Sequence, residues 1–451
     1  MRTPRIALTG TFDVANFGDL LFPLIAEHEL RRRLGGVDVV PYSYRELAGE
    51  CWPYPVRALE RLPDDLPTLV LVVVGGGDLI RFDKRVARGY GSRSRVLHYP
   101  TGYWLMPTLC AVAAGVPVAW NAVGVVGPVP AWACELTDLA AGAADYVTVR
   151  DHLSLDALSA ATQASVRVVP DSAFGIRALL SPERSAGLEQ LLSDAGVSKE
   201  YVVVQPSPLL APRRDAIARA VEEAWAAALD VLELPASPVH GDGPGVLDLA
   251  EGVCRPSSWP DPIVLAEALA RSEAVIAQSL HFSIVAVACG VPVFRYPSDE
   301  RSKYESVEQL PAVHLWADAE GLAGLVARKT GRSLEPGPVV AERVAELEAH
   351  WDAIAGLVRQ PRVPRLQAYA RAIGLLAAAM ELAAGDGTGA DAASFEARLA
   401  EATDELSDAR GQLEAERRAR VLAEDDVARI HATKTWRLTA PLRLVFGRLR
   451  R

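Results

Sequence analysis

The stretch "AVIAQSLHFSIVAVACGVPVFRYP", residues 274–297, contains a strand, a helix and a second strand in succession. A short run of Val and Ile at its start indicates a strand. The Ala- and Val-rich segment from Phe282 is typical of a buried helix, and Gly290 ends that helix. Pro292 then opens another apolar, strand-like run. The unit predicts parallel strands in an α/β sheet.

The first half of the chain repeats part of this unit. "AVAAGVPVAW" begins at Ala111, and "AVACGVPVFR" begins at Ala286. Each consists of a helix end, a glycine stop and a strand entered through proline, which taken locally is a common helix-to-strand turn. Because a new series of apolar runs also begins at Tyr201, we predict two α/β domains of similar design, residues 1–178 and 200–330.

Short Val-, Ile- and Leu-rich runs alternate with longer helical patterns in both predicted domains. Continuous apolar runs separated by helices indicate parallel strands that are covered on both faces. Ligands of such sheets bind at the carboxyl ends of the strands, and here also between the domains. The runs that we predict as strands are RIALTG (5–10), TLVLVVVGGG (68–77), VPVAWNAVG (116–124), ADYVTVR (144–150), VRVVPD (166–171), YVVVQPSP (201–208), VLELPASP (231–238), AVIAQS (274–279) and VPVFRYP (291–297).

Composition excludes several classes of protein. The chain has 451 residues, half of them hydrophobic, and a net charge of -10, which argues against a nucleic-acid-binding protein. Its cysteines lack the spacing of a zinc site or a disulfide framework, so we predict no metal and reduced thiols, as in a cytoplasmic protein. These cysteines are Cys51, Cys110, Cys134, Cys254 and Cys289.

One apolar stretch is long enough to imitate a membrane-spanning helix. It is "WLMPTLCAVAAGVPVAWNAVGVVG", residues 104–127. Gly115, Pro117 and Asn121 interrupt it, and a lipid-exposed span disfavours such residues. We therefore predict a buried helix, a turn and a buried strand. The amino-terminal residues have no apolar core of a signal peptide, which also favours the cytoplasm.

After about residue 330 the pattern becomes helical and polar. We predict packing helices over residues 338–385 and, after a Gly-rich linker, a coiled coil or a single exposed helix over 393–433. A coiled coil there would mediate self-association. Residues 434–451 carry six Lys and Arg residues, no acid, and interleaved apolar residues. This basic tail suits an anionic membrane surface or an acidic partner, and a solvated tail is the alternative.

The quoted stretch also contains the first candidate site. Ser279 stands near the start of the predicted helix and His281 within its first turn, where free backbone N–H groups attract anions. A phosphate or carboxylate site is one interpretation, and a buried core histidine is the other. Arg295 and Lys303 follow, on what the sequence suggests is the next loop.

Other candidates follow the predicted strands of both domains. Asn16 and Asp19 lie in the loop and helix start after the first strand, where Asp19 could be a helix cap or a catalytic carboxylate. Arg150 directly follows another strand. The remaining candidates are three glycines after a strand, which permit a close ligand approach or a tight turn, and polar residues of two loops. They are Gly75, Gly76, Gly77, Asp171, His240 and Asp242.

The order of these motifs is more specific than any one of them. N-x-G-D, a strand ending in GGG, T-V-R-D, V-x-P-D-x-A-F, S-L-H, A-x-G-V-P and a lysine follow one another over residues 6–305. This order resembles the polysaccharide pyruvyl transferase family. The resemblance implies two facing Rossmann-like domains of GT-B type. It also implies transfer of a pyruvyl group from phosphoenolpyruvate to a sugar hydroxyl, usually as a cyclic ketal on a cell-surface polysaccharide.

The resemblance assigns expected roles to residues. His281 and Arg150 match motif residues expected at the phosphoenolpyruvate site, although many members read R-L-H where this chain has Ser279-Leu280-His281. Transfer needs a general acid and a base, so we expect Asp19 as base and His281 as acid or phosphate ligand, without a cofactor. The expected donor-binding residues are Arg150, Ser279, Arg295, Lys303, Gly75, Gly76, Gly77 and Asn16; His240, Asp242 and Asp171 are secondary candidates.

Two other functions remain open from the sequence. A GT-B glycosyltransferase would share the fold and the phosphate-binding helix, but its second domain should contain a glutamate-rich nucleotide-sugar motif, which "PSDERSKYE" matches poorly. An inactive scaffold that recruits surface-glycan enzymes through its coiled coil is compatible with serine at position 279. We expect a cytoplasmic protein that is peripheral to the inner face of the membrane.

Overall fold

The computed structural model describes residues 3–47, 52–82, 101–298, 303–329, 331, 333 and 336–359. Within these residues the chain forms two parallel sheets with helices around them. The predicted coiled coil and basic tail, and the predicted packing helices beyond residue 359, lie outside the described residues.

The first sheet has seven strands among the described residues, in the order β3-β2-β1-β4-β5-β6-β7. All of its neighbouring strands are parallel. The strands are β1 (Arg5–Thr9), β2 (Asp38–Ser43), β3 (Arg57–Ala58), β4 (Leu69–Gly75), β5 (Val118–Val123), β6 (Tyr146–Val149) and β7 (Val166–Val168). The associated helices are α1 (Phe17–Leu34), α2 (Leu62–Asp65), α3 (Leu105–Ala114), α4 (Cys134–Ala143) and α5 (His152–Ser159). Helix α6 (Ala186–Ala195) connects the two sheets in sequence and packs against α8 (Pro262–Ala270) of the second.

The second sheet has five parallel strands in the described part of the chain, in the order β12-β11-β10-β8-β9. Its strands are β8 (Tyr201–Val204), β9 (Asp230–Glu233), β10 (Ala274–Ile276), β11 (Val293–Arg295) and β12 (Val313–Leu315). The helices are α7 (Arg214–Ala226), α8 (Pro262–Ala270), α9 (Leu280–Ala288), α10 (Glu305–Glu308), α11 (Ala319–Lys329) and α12 (Pro338–Leu357). The α/β architecture with two parallel sheets is as predicted.

The repeated helix-to-strand turn has the predicted geometry in both sheets. Gly115 is the C-cap of α3, and Gly290 follows α9, with φ of 70° and 77°. This left-handed conformation suits glycine and lets the chain turn into β5 and β11. The apolar stretch at 104–127 is thus a buried helix and a buried strand, as predicted. Every helix in the described ranges is too short or too polar to span a bilayer.

Three strands were not among the predicted runs. β3 and β12 are edge strands of two and three residues, and β2 is interrupted by Pro41. Edge strands bury less apolar surface than central ones, so their sequences lack the long Val- and Ile-rich runs that identified β4 or β8. The strands whose following loops form the cleft described below, β1, β4, β5, β6, β8, β9, β10 and β11, were all predicted.

One apolar core extends across both sheets. It contains Ile6 and Phe22 of the first sheet and its α1 helix, together with Val285 and Val293 of the second. Phe17 at the start of α1 packs edge-on against Phe282 of α9, with ring centroids 5.1 Å apart. The facing ends of the two sheets are therefore joined by buried side chains.

α12 follows the second sheet in sequence but packs on helix α1 and the strands of the first. Trp351 is buried in the shared core, and Arg33 of α1 bonds Asp352 at 2.7 Å. His350 lies between two polar groups of the first sheet, with Nε2 2.8 Å from Asn121 Oδ1 and Nδ1 3.1 Å from the Tyr146 hydroxyl. Burial lowers the pKa of His350 to about 3.

Candidate active site

A cleft of about 520 Å³ lies between the carboxyl ends of the two sheets. Loops after β1, β4, β5 and β6 form one wall, and loops after β8, β9, β10 and β11 form the other. This is the predicted location for ligands of such sheets. Of the residues predicted for the site, those that line the cleft are Asn16, Asp19, Gly77, Arg150, His240, Asp242, Ser279, His281 and Lys303.

The start of α9 delivers His281 to this cleft. Ser279 is the N-cap of the helix, and its hydroxyl accepts a hydrogen bond from Phe282 N at 3.3 Å. β10 ends just before it, so the helix start and its free N–H groups point to the sheet edge. The His281 side chain is 12% exposed, and its Nε2 lies 3.6 Å from Asp171 Oδ2. His281 is therefore a cleft histidine rather than a residue sealed in the core.

Helix α1, which belongs to the first sheet, packs against the His281 ring. Phe22 packs edge-on against it, with centroids 5.4 Å apart. A Cβ atom on Gly18 would lie 1.9 Å from His281 Nδ1, far inside van der Waals contact. Only glycine at position 18 allows this approach, so the N-x-G-D motif and the S-L-H motif meet in space.

Asp19 is not the cap of α1. Asn16 is the N-cap, and its Oδ1 accepts a hydrogen bond from Gly18 N at 3.2 Å. Burial raises the pKa of Asp19 to about 6, while His281 and a hydrogen bond with Thr11 oppose this shift. A carboxyl group with such a pKa exchanges protons near neutral pH, as a general acid or base must.

The three glycines at the end of β4 have different surroundings. Gly77 has a φ of +79°, and a Cβ there would lie 2.9 Å from Asp19 Oδ1, so glycine makes room for this carboxylate. Cβ atoms on Gly75 and Gly76 would lie 2.5 Å from Leu8 and Phe22 side-chain atoms. These two glycines serve the packing of the core, and neither is among the described residues that line the cleft.

Asp78 joins the two walls of the cleft. Its carboxylate pairs with Arg150 Nη2 of the first wall, and Lys303 Nζ of the second wall donates to Asp78 Oδ2 at 2.7 Å. Although burial favours the neutral acid, Arg150 and Lys303 hold the pKa of Asp78 well below its usual range. Asp78 was not predicted as a site residue, although it directly follows the GGG motif.

Arg150 is almost completely surrounded by carboxylates. Besides Asp78, it has Asp151 Oδ2 at 3.4 Å from Nε and Asp171 Oδ2 at 3.7 Å from Nη1. Its side chain is only 3% exposed. These acids raise the pKa of Arg150 against the effect of burial, so the guanidinium remains charged. Asp171 also caps a 3₁₀ helix by accepting from Ala173 N.

Arg295 differs from the expectation that it lies on a loop. It is the last residue of β11 and is fully buried. Its Nη1 donates to the carbonyl oxygens of Gln278 and Ser279 at 3.1 and 3.3 Å, and to Ser283 Oγ at 2.9 Å. Arg295 therefore supports the S-L-H turn from behind, and it is not among the described residues that line the cleft.

Gln205 connects three loops of the second wall and was also missed from the sequence. Its Oε1 accepts from Gln278 N and Ser279 N at 2.8 and 2.7 Å, and its Nε2 donates to Asp242 Oδ2 at 2.7 Å. Asp242 in turn accepts from Ala236 N at 3.0 Å. Asp242 thus stabilises the conformation of the loop after β9. The position of Gln205 directly after β8 was the only signal in the sequence.

The sequence profile of the polysaccharide pyruvyl transferase family matches residues 16–300, more than half of the chain. The chain belongs to the polysaccharide pyruvyl transferase family. It is therefore a transferase of polysaccharide biosynthesis. No curated protein has a sequence that matches the chain.

The transferase is also similar to solved structures at low sequence identity. The UDP-GlcNAc 2-epimerase of Methanocaldococcus jannaschii has 12% identity and a TM-score of 0.47, and the match covers 77% of this chain and 100% of the epimerase. A putative UDP-N-acetylglucosamine 2-epimerase of Listeria monocytogenes has 11% identity and a TM-score of 0.45, with 84% and 97% coverage. The spinosyn forosaminyltransferase SpnP has 13% identity and a TM-score of 0.41, with 81% and 96% coverage.

The transferase has no cluster of His, Cys, Asp and Glu suited to a metal ion among its described residues. Its cleft combines a helix start, three cations, namely Arg81, Arg150 and Lys303, and several carboxylates. Residues of both matched motifs, N-x-G-D and S-L-H, lie in this cleft.

Proposed function

We propose that this transferase moves a pyruvyl group from phosphoenolpyruvate to a sugar hydroxyl of a cell-surface polysaccharide or its lipid-linked precursor. The observation that carries the proposal is the meeting of His281, Asp19 and the start of α9 in one cleft of a family member. These groups are of the kinds that the reaction needs, namely an anion site and two proton-transfer groups.

The donor carries a phosphate and a carboxylate, so its site needs several positive groups. The free N–H groups at the start of α9 offer one anion site next to His281. Lys303 and Arg150 offer two more cations on opposite walls, although both also face Asp78. Ser279, which replaces the arginine of many members, contributes a cap to the helix rather than a charge.

The reaction requires protonation of the methylene carbon of phosphoenolpyruvate and deprotonation of the attacking hydroxyl. We assign His281 the role of the acid or of a ligand of the phosphate, because it lies in the cleft at the start of α9. Asp19 has a pKa of about 6 because it is buried, so its ionised form is available as base near neutral pH. The enzyme would stabilise the positive charge that develops at C2 through the carboxylates around it.

Direct binding separates this proposal from its rivals. Isothermal titration calorimetry with phosphoenolpyruvate, UDP-GlcNAc and UDP-glucose would show which donor the full chain binds. Phosphoenolpyruvate binding, followed by phosphate release in the presence of acceptor, is the expected result. Binding of a nucleotide sugar alone would indicate a glycosyltransferase, and binding of neither would favour a scaffold.

We also propose a peripheral location at the inner face of the cytoplasmic membrane, through the basic tail 434–451. The tail has six cations, no acid and interleaved apolar residues, a composition that attracts anionic lipids. The segment 393–433 would contribute self-association if its apolar spacing forms a coiled coil. Both proposals rest on sequence.

A further inference from the structure

A serine and a histidine form a hydrogen-bonded pair on the second wall of the cleft. Ser237 Oγ lies 2.7 Å from His240 Nδ1, and both residues line the cleft. They belong to the loop after β9, where His240 ends a short 3₁₀ turn and Gly241 follows with a φ of 94°. His281 and Asp19 stand on other elements of the same cleft, so this pair is a separate polar group.

Several hydrogen bonds hold the loop that carries Ser237 and His240. Asp242 Oδ2 accepts from Ser237 N at 3.1 Å and from Gln205 Nε2 at 2.7 Å. Toward the first sheet, Phe17 N donates to Ala236 O at 2.9 Å. A side chain that moves a proton must be held in place, and these bonds fix the backbone on both sides of Ser237.

The charges around His240 favour its neutral form. Burial lowers the pKa of His240, as do Lys303 and Arg81, while Asp242 and Asp78 oppose the change. Lys303 and Asp78 belong to the ion pair that joins the two walls, so His240 faces the same space as the proposed donor site. A neutral imidazole near neutral pH can accept a proton.

Ketal formation needs more proton acceptors than one. Two hydroxyls of the acceptor each form a bond to C2 of the donor, and each loses its proton. One proton is added to C3, and the other leaves with the phosphate. Asp19 provides one acceptor on the first wall, and this leaves the second hydroxyl without a base.

We propose that His240, positioned by Ser237, is the base for the second acceptor hydroxyl. This proposal rests on the proposed function. After the first addition, C2 carries the methyl group, the carboxylate, the first sugar oxygen and the phosphate. The bond from C2 to the phosphate oxygen breaks, and its electron pair leaves with the phosphate. The second hydroxyl oxygen then bonds to C2, its proton passes to His240 Nε2, and the leaving phosphate finally takes up that proton.

The Ser237 hydroxyl has a defined role in this step. The proposal assigns the ring proton to Nδ1, from which the hydroxyl oxygen accepts a hydrogen bond, and this leaves the Nε2 lone pair free to take the proton. The same bond persists when the ring is protonated, so Ser237 stabilises both states. Ser237 is thus a positioning residue, and threonine should replace it better than alanine.

The test compares two partial reactions in the full chain. Reversible first addition exchanges the methylene hydrogens of phosphoenolpyruvate with deuterium from D₂O, while phosphate release reports completion of the ketal. We expect His240→Gln to bind phosphoenolpyruvate normally and to retain acceptor-dependent deuterium exchange. Its phosphate release should fall by about 10²-fold or more, the usual contribution of a positioned base. Ser237→Ala should cause a smaller loss that Ser237→Thr restores.

The pH profile supplies a second readout. In the unaltered chain, phosphate release should decline as pH falls through the pKa of His240, and His240→Gln should lose this limb while Asp19 still titrates. His152→Gln, an exposed histidine at the start of α5 outside the cleft lining, is the matched control and should change neither reaction.

Three outcomes would overturn the proposal. Unchanged phosphate release in His240→Gln would show that the His240 ring does not accept the proton of the second hydroxyl, while the proposed function would stand. Equal loss of exchange and phosphate release would place His240 in the first step or in binding instead. An unaltered chain that binds phosphoenolpyruvate but never transfers pyruvate would refute both this inference and the proposed function.

Discussion

The contact between Gly18 and His281 makes a sharp prediction for the variant Gly18→Ala. Alanine is the better helix former by about 1 kcal/mol, so propensity alone would stabilise α1. The new Cβ, however, would lie 1.9 Å from His281 Nδ1 and 2.3 Å from Cγ. To regain ordinary contact, the ring must retreat by about 1.5 Å.

A displacement of this size should remove most of what His281 contributes. A misplacement of about 1 Å costs a positioned group about 10²-fold in rate, so we expect Gly18→Ala to lose pyruvyl transfer by that factor or more. The protein should remain folded, because the ring faces the cleft and can turn into it. Thermal unfolding and phosphate release measure the two effects separately.

Gly142→Ala is the matched control, because this glycine also lies in a helix and a Cβ there meets no atom within 4 Å. A double-mutant cycle completes the test. In a His281→Ala background the methyl group has no ring to displace, so Gly18→Ala should cost little more. The reasoning is refuted if Gly18→Ala transfers as fast as Gly142→Ala, or if its cost is the same with and without the His281 ring.

Three further predictions follow from other parts of the chain. The pKa of His350 is lowered from 6.5 to about 3 in the folded protein. Between these two pH values only the unfolded chain binds a proton on this imidazole, so the free energy of unfolding falls as the pH drops. Denaturant unfolding should show a loss of about 2 kcal/mol between pH 7.5 and 5, and His350→Gln should lack this component. Arg150→Met leaves three carboxylates facing one another and should lower the free energy of unfolding by about 3 kcal/mol or more, with a smaller loss in Arg150→Lys; equal melting curves would contradict this. Removal of the tail before Lys434 should abolish salt-sensitive binding to anionic vesicles in a flotation assay, and undiminished binding would exclude the tail as the anchor.

The local parts of the fold and site could be predicted because the deciding residues are neighbours in sequence. Ser279 caps the helix whose first turn holds His281, and β10 ends just before both. Alternating apolar runs and helices likewise predicted the strands whose following loops form the cleft. Their carboxyl ends then indicated where Asp19, Arg150 and His240 would converge.

Roles that depend on contacts between distant segments could not be predicted in this way. Gly18 matters because His281, far along the chain, packs against it, and Gln205 matters because it joins three loops. Asp78 has meaning only beside Arg150 and Lys303. Arg295 was expected on a loop, whereas it ends β11 with its Nη1 donating to two buried carbonyl groups of the S-L-H turn.

The shared core has a consequence for how this transferase could be recombined with its relatives. In α1, Phe17 packs against Phe282 of α9, and Gly18 leaves room for His281. A chimera that is joined between the two sheets would therefore separate side chains that pack against each other. A chimera that imports the second sheet alone would combine mismatched surfaces at the reacting centre. The unit to transplant is therefore discontinuous, namely the second sheet together with the first turns of α1.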